Sequence, residues 1–166
     1  PVPNMQVLVS LLDSENRERD TQRLLIPFVN IPADQSIPVA LAFTAPEDYA
    51  DYVAVSSVDT LIESQGLEFQ GTFNLPVTLD DQESDDLPLT ISGTITNNTD
   101  QTFVSGVAMV GVYDADGNIL GAKQALIDGF NDDGTWSPDG IVTFEVQFSY
   151  LPDEVADIQV VNAGYI

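Results

Sequence analysis

The stretch VGVYDADGNIL, Val110 to Leu120, reads as a strand, a turn and the start of a second strand. Val110 and Val112 share one face because side chains alternate across a strand. Asp114 to Asn118 then supply turn chemistry. Asp and Asn tolerate left-handed backbone, and Gly117 reaches positive φ at no steric cost. NILGAKQALI is expected to return as the paired strand. The same Asp-x-Asp-Gly also opens many calcium loops, so both readings need weighing.

A comparison within the chain weighs them. VLVSLLDSENRERDTQRLLIP, from Val7, aligns with AMVGVYDADGNILGAKQALID, from Ala108. Two further blocks follow in the same order. VALAF, ending at Phe43, matches FEVQF, ending at Phe148. PEDYADYVAV, from Pro46, matches PDEVADIQVV, from Pro152. Three matched blocks in one order mark two copies of one module. The turn is shared between the copies but a ligand set is not, because the first copy's acids differ in spacing and it carries Arg17 and Arg19 there. In the second copy Gly117 is the fourth residue from Asp114, not the sixth, and Ala125 takes the place of the final Glu of an EF-hand loop. A hairpin is the expected reading. Asp114, Asp116, Asp132 and Asp133 stay as weak candidates for calcium, and no other cofactor is expected.

Working outward, the alternation is that of half-buried strands throughout. MQVLVSLL places Val7 and Val9 together. TISGTITNN aligns Ile91, Gly93 and Ile95, and VTFEVQF aligns Phe144, Val146 and Phe148. SSVDTLIESQG is open to either a helical turn or a continued strand. The fold class expected is all-β: tandem β-sandwiches, the first lacking its N-terminal strands within this chain. The division expected is 1–62 for the incomplete first copy and 63–166 for the complete second. Before its matched part the second copy holds LEFQGTFNL and LPLTISGTITNN, where the first has only Pro1 to Asn4. Three explanations stand. The chain is a fragment, or the copies merge into one larger sandwich, or another molecule supplies the missing strands. The third has a physical basis, since open edge strands invite strand addition. Met5, Val7 and Val9 are the residues expected to take part.

GTITNNTDQTFVSGVAMVGVYDADGNILG resembles the FxLYD domain, an immunoglobulin-like β-sandwich of bacterial and archaeal surface proteins and lipoproteins. The motif falls on Val110, Val112, Tyr113 and Asp114, with Val where the family prefers Phe and Leu. The resemblance runs over residues 87–163 and, more weakly, over 5–57, where Leu12 replaces the Tyr. It implies a non-catalytic extracellular or cell-surface module and carries no active site.

Composition narrows the chemistry. The chain of 166 residues has 27 acidic residues against four basic ones, a net charge of -23, and 43% apolar residues. A core is affordable, but no basic patch exists to meet nucleic acid or an anionic membrane. The basic residues are Arg17, Arg19, Arg23 and Lys123. With no Cys and no His, thiolate nucleophiles, imidazole bases and the usual zinc sites are excluded, and no enzyme is expected. No apolar run is long enough for a transmembrane helix. The opening PVPNMQVLVS shows neither initiator Met nor signal peptide, as in a processed chain or a fragment.

Three further stretches are candidates. LDDQESDDLP is an acidic loop, read as a solvated turn or a weak cation site. GFNDDGTWSPDG holds the only Trp, and Phe130 and Trp136 there are read either as a contact tip or as a lid on the sandwich end. NNT at Asn97 is a glycosylation sequon that also suits a turn after a strand. The role expected is structural or adhesive: a surface filament or layer subunit that self-associates by β-strand complementation. The alternative is a ligand-binding module of a surface lipoprotein acting through the Trp136 loop.

Overall fold

The computed structural model describes residues 5–43, 53–60, 70–80 and 87–166. Among them the fold is all-β, with eleven strands in antiparallel sheets. Two compact units divide the chain. The first comprises Pro1–Asp34 and Leu41–Leu67, the second Gln35–Ala40 and Glu68–Ile166. A six-residue piece from the first half of the sequence thus belongs to the second unit.

The second unit is a two-sheet sandwich. Its strands are β4 (Gly71–Phe73), β5 (Val77–Leu79), β6 (Leu89–Thr96), β7 (Ser105–Tyr113), β8 (Ile119–Gln124), β9 (Leu126–Asp128), β10 (Ile141–Phe148) and β11 (Asp157–Tyr165). One sheet has the order β5-β6-β10-β9 and the other β4-β11-β7-β8. The period-two alternation of the sequence is what fills the space between them. Ile91, Ile95, Val142, Phe144, Val146 and Phe148 come from the first sheet, and Ala108, Val110 and Val112 from the second; all are buried in one core. Gly93 pairs with Phe144 on the core side of the first sheet. A Cβ there would collide with the Thr78 carbonyl and the Phe144 ring, so glycine is the residue that lets this strand approach β5.

Gln35–Ala40 lies on the other side of β7. Pro38 occupies the space a side chain at Gly111 would need: a Cβ at that position would stand 2.6 Å from Pro38 Cβ. Asn74 Nδ2 donates to Gln35 Oε1 at 2.9 Å. VALAF was expected as a strand matching β10, and this is corrected: residues 39–43 form no strand. Pro38 has no N–H to give a ladder, and residues 39 and 40 are drawn into the second unit while Leu41 onward belongs to the first.

The first unit holds β1 (Met5–Leu12), β2 (Glu18–Leu25) and β3 (Val53–Thr60) in one sheet of order β2-β1-β3. Val7, Ile26, Phe28 and Ile31 are buried. SSVDT continues β3 as a strand; the rest of SSVDTLIESQG lies outside the described residues. This sheet repeats three strands of the second unit, because β8-β7-β11 has the same order and the same antiparallel pairings. The echo reaches detail. The β1–β2 ladder is offset between Leu11 and Leu12, and the β7–β8 ladder between Val112 and Tyr113, the aligned positions.

Candidate interaction site

VGVYDADGNIL forms a hairpin turn, and its carboxylates serve the turn. Asp114 Oδ1 accepts from the N–H groups of Asp116 at 2.9 Å and Asn118 at 2.8 Å, while Oδ2 accepts from Asn118 Nδ2 at 2.8 Å. Gly117 has φ 82°. In the first unit Asp13 Oδ1 accepts from Glu15 N–H at 2.9 Å and Arg17 N–H at 3.0 Å, and Asn16 takes φ 58°. The backbone bonds repeat too. Asp13 N–H donates to Arg17 O and Asp114 N–H to Asn118 O, both at 3.0 Å. These donors hold both carboxyls below their ordinary range. For Asp114 the largest cause is the Asn118 side chain. For Asp13 it is the Arg17 N–H, with Glu15, the Arg19 side chain and the Arg17 side chain adding to it.

The remaining metal candidates are not gathered. Asp116 and Asp132 are exposed. Asp133 Oδ1 accepts from Thr135 Oγ1 at 2.6 Å and Thr135 N–H at 3.0 Å, and the Thr135 hydroxyl is the larger cause of its lowered pKa. Among the described residues no three His, Cys, Asp or Glu side chains are grouped as a metal site. The middle of LDDQESDDLP lies outside the described residues.

Trp136 is the lid, not the exposed tip. It is 2% exposed and sits in the core. Phe103 and Trp136 exchange both backbone hydrogen bonds, at 3.0 and 2.8 Å, and their rings meet edge-on at 5.5 Å. The indole Nε1–H donates to Gly140 O at 2.9 Å, so its polar end is satisfied inside. Phe130 packs edge-on against it at 6.4 Å and is half-buried. The expectation of an aromatic contact anchor at Trp136 is therefore corrected.

Asn97 holds the same end of the sandwich. It is fully buried, at 0% exposure. Its Nδ2 donates to the carbonyls of Gln101, Trp136 and Ser137 at 2.8, 3.2 and 3.0 Å. Its Oδ1 accepts from Thr99 N–H and Thr99 Oγ1 at 3.1 and 2.7 Å. In the folded chain the sequon is a structural lock, with no nitrogen free for a glycan.

The strand expected to offer an open edge is central in its sheet. β1 lies between β2 and β3, so the backbones of Met5, Val7 and Val9 are paired on both sides. Val7 is buried, and Met5 and Val9 are half-buried. Among the described residues the edges of this sheet are β2 and β3. The reason is that Val53–Thr60, which begins at the end of PEDYADYVAV, returns as β3 against β1 and occupies the edge that a missing strand was expected to leave open.

β2 is chemically unusual for this chain. Three of the four basic residues lie on the β1–β2 hairpin, and the fourth, Lys123, lies on the equivalent strand β8. Arg17 bonds Asp13 at 3.1 Å and Glu15 at 2.9 Å, and Arg19 bonds Asp13 at 2.7 Å. Lys123 Nζ donates to Gln147 O at 2.7 Å and lies 5.4 Å from the Phe148 ring centre. Cations on edge strands discourage unwanted pairing. Sequence reading found the four cations but not their common placement, which needed the strand order.

On the second unit a groove of about 380 Å3 runs along the outer face of the β5-β6-β10-β9 sheet, beside Asp80, Leu126, Asp128 and Glu145. Ser92 Oγ donates to Asp80 Oδ2 at 2.7 Å. Comparison with protein-family models, curated proteins and solved structures returned no match.

Proposed function

We propose that the chain is a non-catalytic structural module of the cell exterior, a subunit of a surface filament or layer joined to its neighbours by β-strand addition. One observation carries the reading. The sheet β2-β1-β3 repeats β8-β7-β11, yet among the described residues the first unit has no second sheet to match β5-β6-β10-β9. A half-sandwich with edges at β2 and β3 is the arrangement that gains most from a strand supplied by another molecule.

Strand order supports the immunoglobulin-like part of the reading. β5-β6-β10-β9 follows the A-B-E-D sheet of that fold, and β11 and β7 take the places of F and C. The FxLYD resemblance supports the exterior setting, with Val110 and Val112 on the core face, Tyr113 at the strand end and Asp114 in the turn. The acidic surface suits a medium rich in counterions. The alternative, ligand binding through the Trp136 loop, loses its anchor with that side chain buried.

Sedimentation velocity over a concentration series tests the proposal. Species larger than one chain are expected, growing with concentration. A single species of monomer mass throughout would overturn it.

A further inference from the structure

The most exposed large apolar side chains among the described residues are Leu126 at 78%, Tyr150 at 77%, Leu25 at 61% and Ile141 at 59%. Two of them lie on strands at sheet edges, Leu25 on β2 and Leu126 on β9. Each has a charged neighbour two residues away on the same face, of opposite sign: Arg23 beside Leu25, and Asp128 beside Leu126. Arg23 has no ion-pair partner among the described residues, unlike Arg17 and Arg19. Across β9–β10 Asp128 lies opposite Thr143 and Leu126 opposite Glu145, and both carboxylates line the same groove.

We propose that β2 of one chain adds to β9 of a second copy, with Arg23 meeting Asp128 and Glu145, and Leu25 covering Leu126. This rests on the strand-addition reading above and names the partner edge.

Backbone alternation fixes the direction. Ile26 N–H donates to Met5 O at 2.9 Å, so in β2 Gln22 and Leu24 turn their N–H and C=O toward β1. Arg23 and Leu25 turn theirs out. Asn97 N–H donates to Gly140 O at 2.9 Å, so Val142 and Phe144 bond β6, and Thr143 and Glu145 bond β9. Leu126 and Asp128 therefore face β10, and the Ile127 backbone faces out. Leu24 shares the face of the buried Val7, and Ile127 packs against the core. With both inner faces on one side of the joined sheet, only parallel strands bring outward groups together. Ile127 N–H then donates to Arg23 O, and Leu25 N–H donates to Ile127 O. Arg23 falls beside Leu126 and diagonal to Asp128, and Leu25 beside Asp128 and diagonal to Leu126. Long side chains reach diagonal neighbours across a sheet. Because the two edges differ, the contact is head-to-tail, and each copy keeps a free edge for the next, in a ring or an open chain.

Charge reversal tests it by sedimentation velocity. Arg23→Glu and Asp128→Arg are each expected to weaken self-association about tenfold, by turning an attraction into a repulsion. The double variant, with both changes, is expected to restore it. Asp128 Oδ1 also accepts from Gly129 N–H, so Leu126→Asp serves as a second probe of the same edge, expected to weaken association with an unchanged melting midpoint. If the native chain associates and the single variants match it, β2 and β9 are not the partners, while strand addition elsewhere survives. If the single variants weaken association and the double variant does not recover, Arg23 and Asp128 do not meet. A native chain that stays monomeric removes both this pairing and the broader reading.

Discussion

Asp13 and Asp114 hold the same turn in two different units: each accepts from the N–H groups two and four residues ahead through one carboxylate oxygen. The second oxygen marks the divergence. At Asp114 it takes the Asn118 amide, and at Asp13 it takes the Arg17 and Arg19 guanidinium groups. One backbone solution thus takes two kinds of partner, a neutral amide in one unit and guanidinium cations in the other.

Both carboxyls are lowered in the folded chain, from an ordinary 3.8. A depressed folded value stabilises the fold fully above the unfolded value, and that stabilisation drains as pH falls below 3.8. Asp114→Asn and Asp13→Asn should therefore lower the melting midpoint at pH 6 and differ progressively less from the native chain on acidification through that range. Comparing each variant with the native chain at each pH removes the general relief of acidic repulsion. A gap that is constant with pH would refute the assignment.

Asn97 should be among the most sensitive positions. Asn97→Ala leaves buried carbonyls at Trp136 and Ser137 without this donor, a loss on the order of 3 kcal/mol. Because the chain has a single Trp, its fluorescence reports this end of the sandwich directly. The native emission should be blue-shifted and poorly quenched by acrylamide, and the variant's shifted to the red and more easily quenched.

Gly111→Ala tests the assignment of Gln35–Ala40 to the second unit. The added methyl meets Pro38 Cβ, and overpacking of this kind costs about 1–3 kcal/mol. Limited proteolysis should cut the variant faster near Pro38. Equal rates would show that the segment does not lie on β7.

The charge of -23 makes salt a stabiliser. Screening shortens from about 30 Å at 0.01 M salt to about 3 Å at 1 M, which removes most repulsion between exposed carboxylates. The melting midpoint should rise across that range. A flat response would mean that counterion screening plays no part in stability.

The strands that alternate cleanly were legible. Ile91 and Ile95, Val110 and Val112, and Phe144, Val146 and Phe148 all face the core because a residue's face in a strand is set by local geometry. The hairpin at Asp114 was legible because turn chemistry is local too. What depends on distant chain was not. VALAF has strand composition but forms no strand, and Pro38, just before it, packs on Gly111. The acidic loop left Trp136 open to either a contact tip or a lid, and Phe103, Phe130 and Asn97 draw it inside. NILGAKQALI was expected as one strand; it breaks at Ala125, so that β8 and β9 belong to different sheets. That β1 is central and not an edge was hidden for the same reason, since only β3 reveals it.

Amide hydrogen exchange, residue by residue and at rising protein concentration, tests strand addition most directly. Leu25 and Ile127 N–H groups should gain protection as the chain is concentrated, while Leu24, already bonded to β1, changes little. Exchange at Leu25 and Ile127 that stays the same from dilute to concentrated protein would contradict the account.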